Sequence, residues 1–356
     1  MWYNKALTLE VPMFTKVTNR RLSVVIDTSV IAHKIADIVS GRSFDTQRSI
    51  AYTRNAIAHI ASLDWLAAYA DIDPAACNVI WVKDTKVNGK YWRNDYLASP
   101  DVTLAIAANQ PDKGKGVKAR RRLLSLATPE TPHTPETTKE LQTLLKDHQT
   151  HYKAGRRQAS DLFMSVRSEV YGILDRNGWN VLEKPLYEAD DLAATVCVLN
   201  QMLPYDEQHH ILLATVDTDW MGLIDRNVAW ICTTGYPPRL RHSMESVNEW
   251  ATRRLKTTLE TPSDIWRIKT LQGDKSDNLP VGTPIDIIDL KQPPVQHRLW
   301  NDPAIATKVN DWLLNPTGIP ISAQQVKQVR KFFASNTVRA AIPAFNPDYD
   351  VFVSTS

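Results

Sequence analysis

The sequence predicts an α/β protein built on a central, mostly parallel, twisted sheet that is flanked by helices. Three short, strongly apolar runs (23–27, 78–84 and 211–217) each end on an aspartate. Segments with the helical spacing of apolar residues separate these runs, so strands alternate with helices along the chain. A strand–helix–strand order favours right-handed parallel units, which place helices on both faces of one sheet.

The first half of the chain supplies two strands and two helices. The run at 23–27 is rich in β-branched residues, and a helix is predicted to follow at 30–40. A longer helical pattern covers about 46–70, and the second strand covers 78–84.

Residues 98–150 are rich in proline, threonine and charge, and we interpret them as a flexible insertion with short helical pieces. Beyond it, strands are predicted at 179–182, 211–217 and 228–234. Helices are predicted at about 140–149, within that insertion, and at 158–176, 186–203, 243–260, 263–272, 302–314 and 322–335.

Composition limits the classes of protein that the chain can belong to. Three distant cysteines without a CxxC pair favour neither a disulfide framework nor structural zinc. No apolar run approaches the roughly 20 residues that span a bilayer, and the first residues lack the form of a signal peptide. We therefore expect a soluble, cytoplasmic protein without a membrane partner. The net charge of +3 is mildly favourable for nucleic acid.

Carboxylates recur along the chain in five short blocks. The blocks are Asp27; Asp84; Glu188, Asp190 and Asp191; Asp217 and Asp219; and Asp274 and Asp277. Because ligand sites of parallel sheets lie beyond the carboxyl ends of the strands, the acids that follow strands should meet in one crevice. Like charges at close range destabilise a fold unless a cation lies between them. The pattern predicts a site for hard divalent metals, with a phosphodiester as the natural substrate.

Each block taken alone has a second explanation. Acids in the first turn of the helix that follows residue 188 would complement its dipole. Asp217 could cap the next helix, and Asp274 with Asp277 could belong to an ordinary polar turn. Repetition of the pattern in several blocks favours the metal site.

Five motifs together resemble, in order and spacing, the successive acidic motifs of the 5′-nuclease superfamily. They are DTS (27–29), VKD (82–84), YEADD (187–191), TVDTDW (215–220) and LQGDKSDNLP (271–280). The superfamily includes flap endonucleases, the 5′-exonuclease domain of bacterial DNA polymerase I, and bacteriophage 5′-to-3′ exonucleases and ribonucleases H. The bacteriophage branch is the most similar. HYKAGRR (151–157) resembles the Tyr-Lys-x-x-Arg segment that opens the helical arch of the family, and KYWRNDY (90–96) resembles its Trp-Arg stretch.

The resemblance implies a structure-dependent 5′-to-3′ exonuclease or flap endonuclease that hydrolyses DNA, with RNA–DNA hybrids as a further substrate. Two Mg²⁺ ions, with Mn²⁺ as a substitute, would be bound by all the acids of the five blocks. Lys153 and Arg156 would be catalytic, since they would reach the scissile phosphate. The residues expected to bind nucleic acid are Trp92, Arg93, Lys118, Arg120, Arg121, Tyr152 and Arg157.

The same resemblance implies partners and a division of the chain. The expected partners are DNA with 5′ ends, flaps or junctions, and replication proteins. The protein is expected to be a monomer, in the host-cell cytoplasm for a phage-encoded chain. A PIN-like 5′-nuclease core would span 1–290, with the insertion at about 98–150 and the arch at about 151–180, and a helical extension would span 291–356.

One departure from the family concerns 278–294, which lacks the usual Gly-x-Gly-x-Lys core and keeps only Gly282. The family's grip on duplex DNA and K⁺ through this element is therefore in doubt. Two other functions remain open: a PIN-like ribonuclease with the same crevice, and a nucleic-acid-binding subunit that does not cleave.

Overall fold

The structure, a computed structural model, describes the central part of the chain. The described residues are 22–63, 77–91, 94, 98–109, 116–128, 131, 133–149, 159–201, 203–232, 239–241, 243–266 and 268. The helices predicted at 302–314 and 322–335 lie outside them, as does half of the one predicted at 263–272. The division of the chain near residue 290 remains a proposal.

A six-stranded sheet in the order β3–β2–β1–β4–β5–β6 forms the centre of the fold. The strands are β1 (Leu22–Asp27), β2 (Cys77–Lys83), β3 (Val181–Glu183), β4 (His210–Thr215), β5 (Val228–Cys232) and β6 (Arg239–Arg241). Strands β1 to β5 pair in parallel, whereas β6 pairs antiparallel with β5. The predicted α/β fold with a mostly parallel sheet is confirmed.

Helices connect the strands and cover the sheet. They are α1 (Thr28–Gly41), α2 (Thr46–Ser62), α3 (Pro100–Asn109), α4 (Val117–Leu126), α5 (Pro135–His148), α6 (Asp161–Arg176), α7 (Ala189–Gln201) and α8 (Met244–Arg254), with a 3₁₀ helix at Thr218–Leu223. Helix α8 ends earlier than the predicted 243–260, with Leu255 as its C-cap.

Two apolar cores lie on opposite faces of the sheet. Because successive side chains of a strand point to opposite faces, Val24 and Ile26 pack into one core and Val25 into the other. The first core includes residues of α1, α2 and α6. The second includes residues of α7, the 3₁₀ helix and α8. The fold therefore has three layers, and both faces of the sheet are covered.

Within 98–150 the predicted short helical pieces are present as helices α3, α4 and α5, which contact one another. The start of α5 has a clear physical cause. The Thr134 hydroxyl accepts a hydrogen bond from the Thr137 backbone N–H, and Pro135 occupies the first turn. Proline fits the first turn because its missing N–H would have no partner inside the helix. The Thr-Pro pair that suggested a loop is therefore a helix start.

Two expectations from composition concern cysteines and membranes. Neither Cys77, Cys197 nor Cys232 takes part in a disulfide, as expected. Across the described ranges, no helix combines the length and apolarity needed to cross a membrane.

Candidate active site

Three aspartates lie at the carboxyl ends of adjacent central strands. Asp27 ends β1, and Asp84 directly follows β2. Asp217 lies two residues beyond the end of β4. Strand β1 pairs with both β2 and β4, so its last residue lies between the other two strand ends. The predicted convergence of these strand ends at one edge of the sheet is present in the structure.

Asp27 has a strongly perturbed carboxylate at this edge. Its side chain is only 4% exposed. The pKa of Asp27 is raised from 3.8 to about 7. Burial is the largest cause, and the charges of Asp84 and Asp217 also raise the pKa, whereas hydrogen bonds from the Val30 N–H and the Thr215 hydroxyl lower it. These three acids thus create a negative potential that a cation would relieve.

Asp84 links the end of β2 to two helices. Its Oδ2 accepts a hydrogen bond from the Ser29 hydroxyl at 2.5 Å, at the start of α1. Its Oδ1 accepts one from the Ala189 backbone N–H at 2.7 Å, at the start of α7. Thr85 strengthens this junction, because its N–H donates to the Tyr187 carbonyl at 3.0 Å and its carbonyl accepts from the Leu186 N–H at 2.7 Å. The start of α7 is therefore held against the end of β2.

This junction brings the third acidic block to the same edge. Glu188 and Asp191 are buried, and Asp190 is half-buried. The Glu188 backbone N–H donates to Asp191 Oδ2 at 3.0 Å. The Trp220 indole N–H donates to Asp190 Oδ1 at 2.8 Å, which ties α7 to the 3₁₀ helix.

Two further indoles donate hydrogen bonds to the backbone of the fourth acidic block, Asp217 and Asp219. The Trp230 Nε1–H donates to the Asp217 carbonyl at 3.0 Å, and the Trp266 Nε1–H donates to the Asp219 carbonyl at 2.9 Å. Sequence reasoning noted Trp220 only for its place in a motif, and missed Trp230 and Trp266. A tryptophan in an apolar strand or helix gives no sequence signal of what its N–H will meet.

Two of the acids at this edge also cap helices. Asp27 Oδ1 accepts from the backbone N–H groups of Ser29 and Val30 and caps α1. Asp217 Oδ1 accepts from the Asp219 N–H and caps the 3₁₀ helix. Each cap uses one carboxylate oxygen and fixes the direction of the other. Capping therefore orients these acids and does not remove them from the site.

The donors gathered here suit a hard divalent cation, since Mg²⁺ and related ions prefer carboxylate oxygens. Within the described ranges, however, no three Asp, Glu, His or Cys side chains already converge in a metal-binding arrangement. The fifth block, Asp274 and Asp277, lies outside those ranges. The assignment of the acids as metal ligands therefore stays a prediction.

The predicted basic and aromatic residues are mostly not described. Trp92, Arg93, Tyr152, Lys153, Arg156 and Arg157 lie outside the described residues. In α4, Lys118 and Arg121 are exposed. Arg120 is 7% exposed and lies on the side of α4 that also buries Leu123. As a surface contact to phosphate Arg120 is a poor candidate, because the helical period turns it toward the neighbouring helices.

Sequence reasoning also missed polar residues of α6 and of the loop after β2. Arg167 donates from Nη2 to the Asp84 carbonyl at 3.2 Å and from Nε to the Tyr171 hydroxyl at 2.8 Å. Tyr91 is buried, and burial raises the pKa of its hydroxyl, with the charges of Asp84 and Glu188 adding to the rise. Helical periodicity predicted α6 but could not indicate that one of its arginines faces the site.

The sequence is similar to a 5′-3′ exonuclease family model and to bacterial DNA polymerases I. Residues 122–252 match the family model described as 5′-3′ exonuclease, N-terminal resolvase-like domain. DNA polymerase I of Mycobacterium tuberculosis is 33% identical over 147 residues, or 39% of this chain. The thermostable DNA polymerase I of Thermus caldophilus is 31% identical over 129 residues, or 36% of this chain. The match spans 14% of the length of each polymerase.

Among solved structures, a bacteriophage T5 flap endonuclease in a pseudo-enzyme-product complex with DNA and metal ions has a similar fold. The TM-score is 0.50 at 14% sequence identity, and the match covers 88% of this chain and 100% of that chain. At this identity the likeness concerns the fold.

Proposed function

We propose that this chain is a member of the 5′-nuclease superfamily, and that it is a metal-dependent nuclease that hydrolyses phosphodiester bonds of DNA near 5′ ends. The proposed substrates are 5′ flaps, single-strand/duplex junctions and, as an extension, RNA–DNA hybrids. One observation carries the proposal. Three carboxylates lie at adjacent strand ends, close enough for the charges of Asp84 and Asp217 to raise the pKa of buried Asp27.

The residues of this edge would bind two Mg²⁺ ions, or Mn²⁺ in their place. Such ions, when bound, lower the pKa of an attacking water and stabilise the charge of the transferring phosphate. The proposed ligands are Asp27, Asp84, Glu188, Asp190, Asp191, Asp217, Asp219, Asp274 and Asp277. Because the described carboxylates do not yet converge, binding would require some of them to turn toward the ions.

The chain's own polar groups would prepare these acids for binding. The backbone N–H groups of α1 and the Thr215 hydroxyl hold Asp27, and the Trp220 indole holds Asp190. Lys153 and Arg156 are proposed to contact the scissile phosphate and offset its charge. The bacteriophage T5 flap endonuclease with a similar fold was solved with DNA and metal ions, which supports the choice of DNA and of metal.

A cleavage assay tests the proposal. A DNA duplex with a labelled 5′ flap is incubated with the protein in Mg²⁺ and, in parallel, in EDTA. We expect labelled 5′ fragments in Mg²⁺ alone. Asp217→Asn should lower the rate on the order of 100-fold or more, because it removes one charge from the site. Asp206→Asn, at an exposed acid in the turn before β4, is the matched control and should cut as wild type does.

Three results would contradict parts of the proposal. Equal cleavage in EDTA would refute the dependence on metal. Cleavage of single-stranded RNA but not of the flap would favour a PIN-like ribonuclease. Salt-sensitive DNA binding by wild-type protein without any cleavage would favour a binding subunit.

A further inference from the structure

The loop that follows β2 brings three segments of the chain together beside the acidic edge. The Thr85 N–H donates to the Tyr187 carbonyl at 3.0 Å, and the Leu186 N–H donates to the Thr85 carbonyl at 2.7 Å. From α6, Arg167 Nη2 donates to the Asp84 carbonyl at 3.2 Å. The loop is therefore in contact with α6 and with the segment before α7, and cations carried by these three segments share one side of the edge.

Three of those cations each lie over the ring of a tyrosine. The distance to the ring centroid is 5.0 Å for Lys86 Nζ over Tyr91, 5.0 Å for Arg167 Cζ over Tyr171, and 3.9 Å for Lys184 Nζ over Tyr187. We term Lys86, Arg167 and Lys184 the stacked rim. An aromatic ring attracts a cation through its quadrupole but has no net charge. The rings therefore hold these cations in place and leave their positive charge uncompensated.

The hydrogen bonds of Arg167 also leave its charge in place. Its Nε donates to the Tyr171 hydroxyl at 2.8 Å and its Nη2 to the Asp84 carbonyl, and both acceptors are neutral. These bonds use two of the five N–H groups of a guanidinium. Lys83, at the end of β2, differs from the rim, because its Nζ forms an ion pair with Glu183 Oε2 at 2.8 Å. A half-buried arginine fixed on neutral oxygens is suited to contact an external anion.

The place of the rim in the sheet indicates which anion it meets. Asp84 directly follows β2 and Lys184 directly follows β3, so the rim lies on the β2–β3 side of the acidic edge. A nucleic acid strand has one negative charge at every nucleotide. A strand whose scissile phosphate lies at the acidic edge therefore brings further phosphates to the surface beside it.

We propose that the stacked rim binds phosphates that flank the scissile phosphate and directs the nucleic acid strand along the β2–β3 side of the site. The proposal rests on the function proposed above. It adds three residues that belong neither to the acidic motifs nor to the residues predicted from sequence to bind nucleic acid. Contacts of this kind fix the position of a strand without reading its sequence.

Binding of a labelled 5′-flap DNA in EDTA, measured by fluorescence anisotropy at several salt concentrations, tests the rim without cleavage. Loss of one phosphate contact lowers the steepness of log K against log salt by about 0.7–0.9. Lys86→Gln, Arg167→Gln and Lys184→Gln should each show this change, and the triple variant should lose about 2–3. Arg167→Lys should keep the wild-type slope, because the charge is retained.

The matched control is a stacked cation at the opposite edge of the sheet. Arg226 Cζ lies 4.7 Å from the centroid of the Tyr205 ring, and Arg226 precedes the start of β5. Arg226→Gln should therefore keep the wild-type slope. Thermal unfolding of each variant identifies loss of folded protein. If Arg167→Gln unfolds, Lys86→Gln provides the test, because the Lys86 side chain is exposed.

Mn²⁺ binding in the absence of DNA, measured by isothermal titration calorimetry, separates a phosphate contact from support of the acids. The rim variants should bind Mn²⁺ at least as tightly as wild type, because they remove positive charge beside the site. Weaker Mn²⁺ binding by Arg167→Gln with an unchanged salt slope would mean that Arg167 supports Asp84 and does not contact the strand. That result would overturn the assignment of Arg167.

The outcomes distinguish this inference from the proposed function. If wild-type protein cleaves the flap but the triple variant keeps the wild-type slope, the rim is overturned and the nuclease stands. An equal loss of slope in Arg226→Gln and in the single rim variants would also overturn the rim, because binding would then follow net charge alone. If the salt slope depends on the rim but wild-type protein does not cleave, the rim stands and the nuclease falls.

Discussion

Asp27 is a residue at which stability and the proposed function oppose each other. It is buried, and the charges of Asp84 and Asp217 act on it, so burial and like charge raise its pKa from 3.8 to about 7. The folded protein therefore binds a proton more tightly here than the unfolded chain does. The free energy of unfolding should fall as pH rises between about 4 and about 7, and the loss should be complete above that range.

Removal of the Asp27 charge should stabilise the metal-free protein. In EDTA at about pH 8, Asp27→Asn should raise the free energy of unfolding on the order of 2 kcal/mol, because the neutral amide avoids the charge burial. The gain should shrink at about pH 5, where the wild-type carboxyl is largely protonated. Urea denaturation at the two pH values measures both quantities.

Asp37→Asn, at an exposed acid of α1, is the control and should give no comparable gain. An Asp27→Asn variant that is less stable than wild type at about pH 8 would mean that the caps of α1 outweigh the electrostatic cost. The residue-scale account of the edge would then be wrong.

At the scale of elements, the 3₁₀ helix at Thr218–Leu223 is closely packed beneath the acidic edge. A Cβ added at Gly222 would lie 2.4 Å from Cε2 of the Trp266 ring. That ring cannot retreat freely, because its N–H donates to the Asp219 carbonyl. Glycine is required at 222 for this close approach, and the packing couples the 3₁₀ helix to an acid of the site.

Gly222→Ala should therefore lower the free energy of unfolding by about 1–3 kcal/mol, and should also reduce cleavage by displacing Asp219. Gly41→Ala is the control. No atom lies within 4 Å of the added Cβ, so this variant should be as stable as wild type or more stable by up to about 1 kcal/mol. Equal stability of Gly222→Ala and wild type would show that Trp266 moves aside without cost.

Elements also differ in how well the sequence predicts them. Strands β1, β2 and β4 lie close to their predicted positions. Each is a short, continuous apolar run, and such a run favours a buried strand. Strand β6 (Arg239–Arg241) has only three residues and was not predicted, since a run this short has no measurable alternation. Helix α5 begins at Pro135, earlier than the helix predicted at about 140–149, because the Pro- and Thr-rich stretch before it was interpreted as a loop although Pro135 stands in the first turn.

At the scale of the whole molecule, topology explains why part of the site could be predicted. Acids that follow parallel strands must come to one edge, so the positions of Asp27, Asp84 and Asp217 could be inferred from strand ends alone. The contacts that orient them could not be inferred. Asp84 accepts hydrogen bonds from the Ser29 hydroxyl and from Arg167, and only the folded packing of α6 against the sheet brings Arg167 to Asp84.

The central claim is that this carboxyl edge binds divalent ions. Its most direct test is a crystal of the full chain soaked in Mn²⁺, with the ions located by anomalous scattering. We predict manganese peaks at coordination distance from carboxylate oxygens of Asp27, Asp84 or Asp217, and their absence from crystals of Asp27→Asn/Asp217→Asn. Manganese bound only elsewhere on the protein, or no manganese at this edge under conditions that support cleavage, would contradict the account.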